Sequence, residues 1–160
     1  MEIPRGSRNK YELDRERGFI KLDRVLYSSV HYPTDYGFVV GTLAEDGDAL
    51  DALVVIDEPT FPGCHITARP LGVLNMRDEK GQDQKILAVP TGDPHYNGMY
   101  ELGDIGQQWL LEIENFFQTY KALEDKWTEV VGWEDTAAAQ RVIRQARALY
   151  ARGLEGSELP

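Results

Sequence analysis

Along the first two thirds of the chain, apolar positions recur at every second residue in short runs broken by turn residues. In Lys10-Tyr11-Glu12-Leu13-Asp14 apolar and charged side chains alternate, the pattern of a half-buried strand. The turn Arg15-Glu16-Arg17-Gly18 leads into Phe19-Ile20-Lys21-Leu22-Asp23, which reads as its hairpin partner. Further strands are predicted over 36–40, 53–56, 65–69, 72–77 and 85–89, with 78–83 as the hairpin turn between the last two. Towards the C-terminus the period changes. Trp109, Ile113, Phe116, Tyr120 and Leu123 recur every three or four residues, predicting an amphipathic helix. Residues 127–133 return to alternation and predict one more strand. Asp135 or Thr136 then caps a second helix, with Ala138, Val142, Ala146 and Leu149 on its inner face and Gly153 at its end. Many short strands followed by two helices predict an α+β fold, mainly β: a small barrel with helices packed outside it.

The length of 160 residues fits one domain with a sizeable core, and the tail after Gly153 is expected to fray. A hydrophobic fraction of 42% beside 28% charged residues is ordinary for a folded chain. The single cysteine, Cys64, allows no intramolecular disulfide and fits a reducing compartment. Residues 1–12 hold no signal-like apolar run, and the longest apolar stretch, 52–56, is too short to span a membrane. These features predict a soluble, cytoplasmic protein. The net charge of −10 repels nucleic acid and anionic membranes. Solubility alone explains such a charge, and so does a set of acids that hold divalent cations. Composition does not choose between them.

The densest chemistry is Asp46-Gly47-Asp48-Ala49-Leu50-Asp51, three carboxylates in six residues with a glycine to bend the backbone. Hard cations such as Mg²⁺ take oxygen ligands of this kind, although a solvated acidic turn ahead of a buried strand has the same composition. The EF-hand spacing is absent. A second candidate is Asp78-x₄-Asp83-x-Lys85, at the tip and exit of a hairpin. A third is Lys10-x-Glu12, on one strand face, where edge protection is the plainer reading. Tyr32-Pro33-Thr34-Asp35-Tyr36-Gly37 offers two hydroxyls in a loop, Tyr120-Lys121 closes the amphipathic helix, and Arg24 follows the second strand. Each alone also reads as packing or surface charge. Together they bring seven carboxylates (Glu2, Glu12, Asp46, Asp48, Asp51, Asp78, Asp83) and four cations (Lys10, Arg24, Lys85, Lys121). Acids in such number need metal ions to stay ionised side by side, and the bases suit an anionic substrate. A small phosphorylated anion bridged by Mg²⁺ satisfies both.

These residues resemble the family I soluble inorganic pyrophosphatases. The acidic loop is similar to the family's D-G-D-P-x-D signature. The likeness continues in order through Glu2-Ile3-Pro4, Asn9-Lys10-Tyr11-Glu12, Leu22-Asp23-Arg24, the Tyr32 to Gly37 segment, Arg69-Pro70-Leu71-Gly72, Asp78 to Lys85, and Phe116-Phe117-Gln118-Thr119-Tyr120-Lys121. The resemblance implies a five-stranded, OB-like barrel with two flanking helices, and Mg²⁺-dependent hydrolysis of pyrophosphate with three to four ions per site. It implies that Asp46, Asp51 and Asp83 hold the tight metal, with Asp51 shared by a second ion. Asp78 and Asp83 would serve metals that enter with substrate, and Glu2 and Glu12 would act through metal-bound waters. Asp48 is implied as the base for the attacking water. Lys10, Arg24, Tyr36, Lys85, Tyr120 and Lys121 would grip the phosphates, with Tyr32 lining the site. Prokaryotic members are usually hexamers, and the helix around Asn115 and Thr119 resembles their subunit contact. The sequence departs from the family in three places. Glu2 comes almost at the start, where members carry a longer N-terminal segment; Ala49 replaces a proline; and Asn97-Gly98-Met99-Tyr100-Glu101-Leu102 differs from the usual loop.

Two other readings remain. A non-catalytic OB-type module for nucleic acid or phosphorylated ligands is disfavoured by the charge and by the lack of a basic, aromatic-studded strand face. A Mg²⁺-dependent hydrolase of nucleotides or other phosphate esters lacks a Walker-type phosphate loop.

Overall fold

The computed structural model of the chain describes residues 1–14 and 16–157, the last four of them as backbone only. The predicted hairpin forms as β1 (Asn9–Asp14) and β2 (Phe19–Val25), a two-stranded antiparallel ribbon. A separate five-stranded sheet contains β3 (Asp35–Phe38), β4 (Asp51–Val54), β5 (Ala68–Asp78), β6 (Gly81–Pro90) and β7 (Thr128–Glu134), in the order β3-β4-β6-β5-β7. Only β4 and β6 run parallel.

The expected five-stranded barrel is not closed. Among the described residues the ribbon strands pair only with each other and no ladder joins β3 to β7, and β3 is four residues long. An isolated bridge, Ile3 to Tyr36, extends its outer side. The strands predicted over 65–69 and 72–77 are one strand from Ala68. The register slips between Pro70 and Gly72, where Leu71 is left without a partner. Such a bulge accommodates a proline that cannot donate to the ladder. The predicted turn over 78–83 shrinks to Glu79 and Lys80, because Asp78 pairs with Gly81 and accepts the Lys80 N–H at 2.9 Å.

Two helices cover opposite faces of the sheet. Helix α1 (Gln107–Thr119) packs Ile113, Phe116 and Phe117 into the same cluster as Leu53, Leu74, Met76, Leu87 and Val89. Helix α2 (Thr136–Ser157) lays Ala138, Ala139 and Ala146 against Leu50, Val73 and Ile86. Odd and even strand positions therefore divide between the two helices, as period-two alternation requires. Of the two candidate caps, Asp135 is the one used: its Oδ1 accepts the Ala138 N–H at 2.8 Å. The Thr136 hydroxyl instead donates to the Leu71 and Tyr100 carbonyls. Helix α1 stops before Leu123, which lies exposed in the following turn, and Trp127 stands just outside β7. Helix α2 runs past the expected stop at Gly153. The expected fraying beyond it concerns side chains from 154 and residues 158–160, which lie outside the described residues.

Candidate active site

The same alternation that builds the core builds the site. On the α1 face, Leu53 and Asp51 follow one another two apart on β4, as do Leu87, Lys85 and Asp83 on β6. Leu74, Met76 and Asp78 do so on β5. Register aligns these rows: Asp51 lies beside Lys85, Lys85 opposite Leu74, and Asp83 opposite Met76. Each core row thus turns charged at its end, at the mouth of the layer. Tyr36 joins from β3, opposite Leu53.

Lys85 is the centre of this arrangement. Its side chain is 2% exposed, and Nζ donates to Asp51 Oδ2 at 2.7 Å and to the Asp83 oxygens at 2.9 and 3.0 Å. It also donates to the Tyr36 hydroxyl at 3.3 Å, and its ammonium lies 5.1 Å from the centre of the Phe117 ring. Burial works to discharge the amine, but Asp51 and Asp83 outweigh it and raise its pKa well above the usual lysine range. The Tyr36 hydroxyl donates to Asp51 Oδ2, and burial, then Asp51 and Asp83, hold the phenol firmly protonated. Asp51 is therefore fixed through one oxygen, while Oδ1 has no partner among the described residues.

The other groups arrive from separate elements. Asp46 and Asp48 sit exposed on the turn before β4, where Asp46 Oδ1 accepts the Asp48 N–H at 3.0 Å. The Asp48 carboxylate is 71% exposed, and its nearest cation, Lys80, is 3.8 Å away. Asp78 pairs with Lys121 at 2.9 Å. Burial pushes the Asp78 carboxyl up, yet Lys121 and the Lys80 N–H hold it below the ordinary range. Lys121 is itself raised, since Tyr120 and Asp78 overcome its own desolvation. Tyr120, the C-terminal cap of α1, stacks on Phe116. On the ribbon, Lys10 bonds Glu12 and lies 3.4 Å from Asp23. Glu2 is carried in by the bridge at Ile3. Its Oε1 accepts the Leu13 N–H at 2.8 Å, while burial raises its pKa.

A polar cavity of about 510 Å³ collects all but one of the expected site residues. Tyr32 is the exception. It is 2% exposed and packs between Phe116 and Tyr36, ring centres 4.8 and 5.4 Å apart, so it backs Tyr36 and forms no part of the cavity wall. The sequence reading left out Asp23, Glu79, Lys80 and Lys126, which also line the cavity. Asp23 was hidden by a bulge. Lys10 pairs with Arg24 and Tyr11 with Leu22, which leaves Asp23 unpaired, so it lines the same cavity as its neighbour Arg24. A larger cavity, about 760 Å³, lies on the α2 side against Ala52, Val54, Ile86 and Ala88. It is largely apolar and shares with the expected set only Glu2.

In the polar cavity nine carboxylates face six cations. Among the described residues, no three acidic, histidine or cysteine side chains stand close enough together to hold a metal ion. The carboxylates are instead paired with lysines: Asp51 and Asp83 turn to Lys85, Asp78 to Lys121, Glu12 to Lys10. The donor set nevertheless fits a hard divalent cation. It is all oxygen, in excess over the bases, and includes the unpartnered Asp51 Oδ1 and the exposed pair Asp46 and Asp48.

A family model described as inorganic pyrophosphatase matches residues 1–151. The inorganic pyrophosphatase of Halalkalibacterium halodurans is 53% identical over 150 residues, spanning 94% of this chain and 92% of the relative. That of Synechocystis is 52% identical over 94% of this chain and 89% of the relative. The crystal structure of inorganic pyrophosphatase from Thermus thermophilus aligns with a TM-score of 0.92 at 47% identity, over 94% of this chain and 88% of that one. The chain belongs to the soluble, prokaryotic-type inorganic pyrophosphatases of family I.

Proposed function

We propose that this chain hydrolyses inorganic pyrophosphate to two orthophosphates with Mg²⁺ as cofactor, three to four ions per site. The observation that carries this reading is the single cavity in which carboxylates outnumber a substantial set of bases. The bases match a small polyanion, and the excess of acid matches cations that travel with it. Asp46, Asp51 and Asp83 would hold the tight cation, with Asp51 also serving a second. Asp78 and Asp83 would serve those arriving with substrate, and Glu2 and Glu12 would act through bound water. Bound Mg²⁺ supplies Lewis acidity that lowers the pKa of the attacking water and neutralises phosphate oxygens.

The protein's own groups do the rest. Asp48, exposed on the glycine turn with only the solvent-exposed Lys80 beside it at 3.8 Å, accepts the proton of the attacking water. Lys10, Arg24, Lys121 and the hydroxyls of Tyr36 and Tyr120 take up phosphate oxygens. Lys85 uses its three N–H groups on Asp51, Asp83 and Tyr36. Were those carboxylates engaged by bound cations instead, the buried Lys85 ammonium would be free to meet a phosphate oxygen. Tyr32 holds the Tyr36 ring from behind.

The deciding assay compares phosphate release from pyrophosphate and from ATP under millimolar Mg²⁺. Release from pyrophosphate, abolished by excess EDTA and poorly supported by Ca²⁺ with its looser shell, is the expected result. Preference for ATP would favour a nucleotide hydrolase, and no release from either would leave only a binding module. We further propose a cytoplasmic homohexamer that uses the outer face of α1, where Leu111 and Asn115 are exposed. A species near the monomer mass of 18.1 kDa by light scattering would refute that assembly. No described helix is long and apolar enough to cross a membrane.

A further inference from the structure

The β1–β2 ribbon shares no sheet with the rest of the molecule, yet it carries Lys10, Glu12 and Arg24 into the cavity. Among the described residues, one ion pair ties the ribbon to anything outside itself: Arg24 Nη2 to Glu124 Oε2 at 3.3 Å. Glu124 does not line the cavity. It sits in the turn after α1, where its N–H donates to the Lys121 carbonyl at 2.9 Å, and its side chain is only 6% exposed. A carboxylate buried to that degree is costly unless a cation compensates it, and Arg24 is the one ion-pair partner it has among the described residues.

The atoms left over point to the geometry of that pair. Two of the buried side-chain atoms with no hydrogen-bond partner are Arg24 Nε and Glu124 Oε1. A guanidinium meets a carboxylate best side by side, two parallel N–H groups on two oxygens. With Nη2 already on Oε2, the remaining members of such a fork are Nε and Oε1. A small closing movement pairs both and leaves the Nη1 edge free. That edge now rests loosely on Asp23, 3.5 Å away in the cavity wall.

We propose that Glu124 is a positioning residue that clamps one edge of the Arg24 guanidinium, so that the other edge meets a phosphate oxygen of the substrate. The inference rests on the reading of Arg24 as a phosphate-binding group. It also couples two parts of the site, because the turn that delivers Glu124 to Arg24 begins with Tyr120 and Lys121. Glu124 itself touches no substrate.

The test is a double-mutant cycle on the full chain: wild type, Arg24→Ala, Glu124→Ala, Glu124→Gln and Arg24→Ala with each Glu124 change. For each, kcat and KM for pyrophosphate are measured with saturating Mg²⁺, beside the melting temperature. Arg24→Ala is expected to lose about 10- to 100-fold in kcat/KM, the scale of one charge-assisted hydrogen bond. Glu124→Ala should lose about tenfold, and Glu124→Gln, which keeps shape and an acceptor, clearly less. In the Arg24→Ala background both Glu124 changes should cost under about twofold in kcat/KM, and they should no longer lower the melting temperature, since Glu124 is there a buried carboxylate without its cation. Equal losses in both backgrounds would show a merely structural glutamate and overturn the proposal. So would unchanged kinetics in Glu124→Ala beside a damaged Arg24→Ala. If Arg24→Ala itself retained full kcat/KM, the phosphate role of Arg24 would fail first and take the clamp with it. Should Glu124→Ala not fold, the Glu124→Gln arm carries the same comparison.

Discussion

Asp48 and Asp51 are three residues apart and differ in almost every physical respect. Asp51 is pinned through Oδ2 by Lys85 and Tyr36 at the start of β4, whereas Asp48 is largely exposed on the preceding turn. Asp48→Asn should therefore lower kcat by about 10²–10⁴-fold, the usual cost of losing a general base, with Mg²⁺ affinity little changed. Asp51→Asn should weaken Mg²⁺ binding and rate together and also destabilise the fold, since it strips the buried Lys85 ammonium of one counter-charge. Breaking a buried pair in this way costs up to about 3–5 kcal/mol, less here because Asp83 stays in place. Calorimetric Mg²⁺ titration of both variants, beside rates, separates the two roles; loss of metal in Asp48→Asn with retention in Asp51→Asn would reverse the assignment. Tyr96, which does not line the polar cavity, allows a separate check of the electrostatics. Burial, and then the nearby Asp57 and Asp93 carboxylates, push its phenol up to about 12. Between the unfolded pKa near 10 and that value the native state holds the proton that the unfolded chain has lost. Its contribution to stability is thus complete below about pH 10 and lost as pH rises towards 12. Tyr96→Phe should flatten this alkaline loss in denaturant melts, at a neutral-pH cost of about 1 kcal/mol for its hydrogen bond to Asp57. An unaltered alkaline slope would contradict the shift.

At the scale of elements, the bridge between Ile3 and β3 decides where Glu2 goes. The Glu2 and Ile3 N–H groups donate to the Tyr36 carbonyl at 2.8 and 2.9 Å, and Tyr36 N–H returns one to Ile3. This close passage needs Gly37: a Cβ there would stand 2.8 Å from the Met1 Cα and 3.2 Å from the Glu2 nitrogen, both backbone. Gly37→Ala should push the N-terminal segment off β3, cost about 1–3 kcal/mol as overpacking does, and reduce activity by displacing Glu2. A variant with wild-type melting and rate would show that the bridge positions nothing. Elements of this kind also mark the limit of what the sequence discloses. Most of the strands and both helices were legible, because alternation and the 3.6 period report directly which face is buried. That the core rows end in Asp51, Asp78 and Asp83 was not legible, since the sequence pattern places the last two in a turn. Closure of the barrel was not, since it depends on strand edges, on which side-chain periodicity is silent. Asp23 was missed because a bulge breaks the period that would place it. The end of α1 was missed for a local reason: the chain turns without a glycine, and Asp125 takes the left-handed conformation, φ 52°, six residues beyond the last helical one. Tyr32 and Tyr36 look alike in the motif, and only packing shows that one faces the cavity while the other supports it from behind.

Over the whole molecule the net charge of −10 opposes compaction through self-repulsion, and the polar cavity concentrates part of that charge. Two distinct effects of added Mg²⁺ follow. General screening acts on every exposed carboxylate and is matched by sodium chloride at the same ionic strength. The proposed binding in the cavity would be linked to folding, because the unfolded chain scatters these carboxylates among strands far apart in sequence. At a hundred times its dissociation constant a single bound ion adds about 2.7 kcal/mol, which for a domain of this size reads as roughly 5–11 °C in melting temperature. The melting curve in millimolar Mg²⁺ should therefore lie above that in ionic-strength-matched sodium chloride. Asp51→Asn should remove most of the excess while leaving the salt response intact, and Asp48→Asn should keep both. Equal stabilisation by the two salts would mean that the carboxylates act only as a diffuse surface charge, and the metal-dependent reading of the cavity would fall with that result.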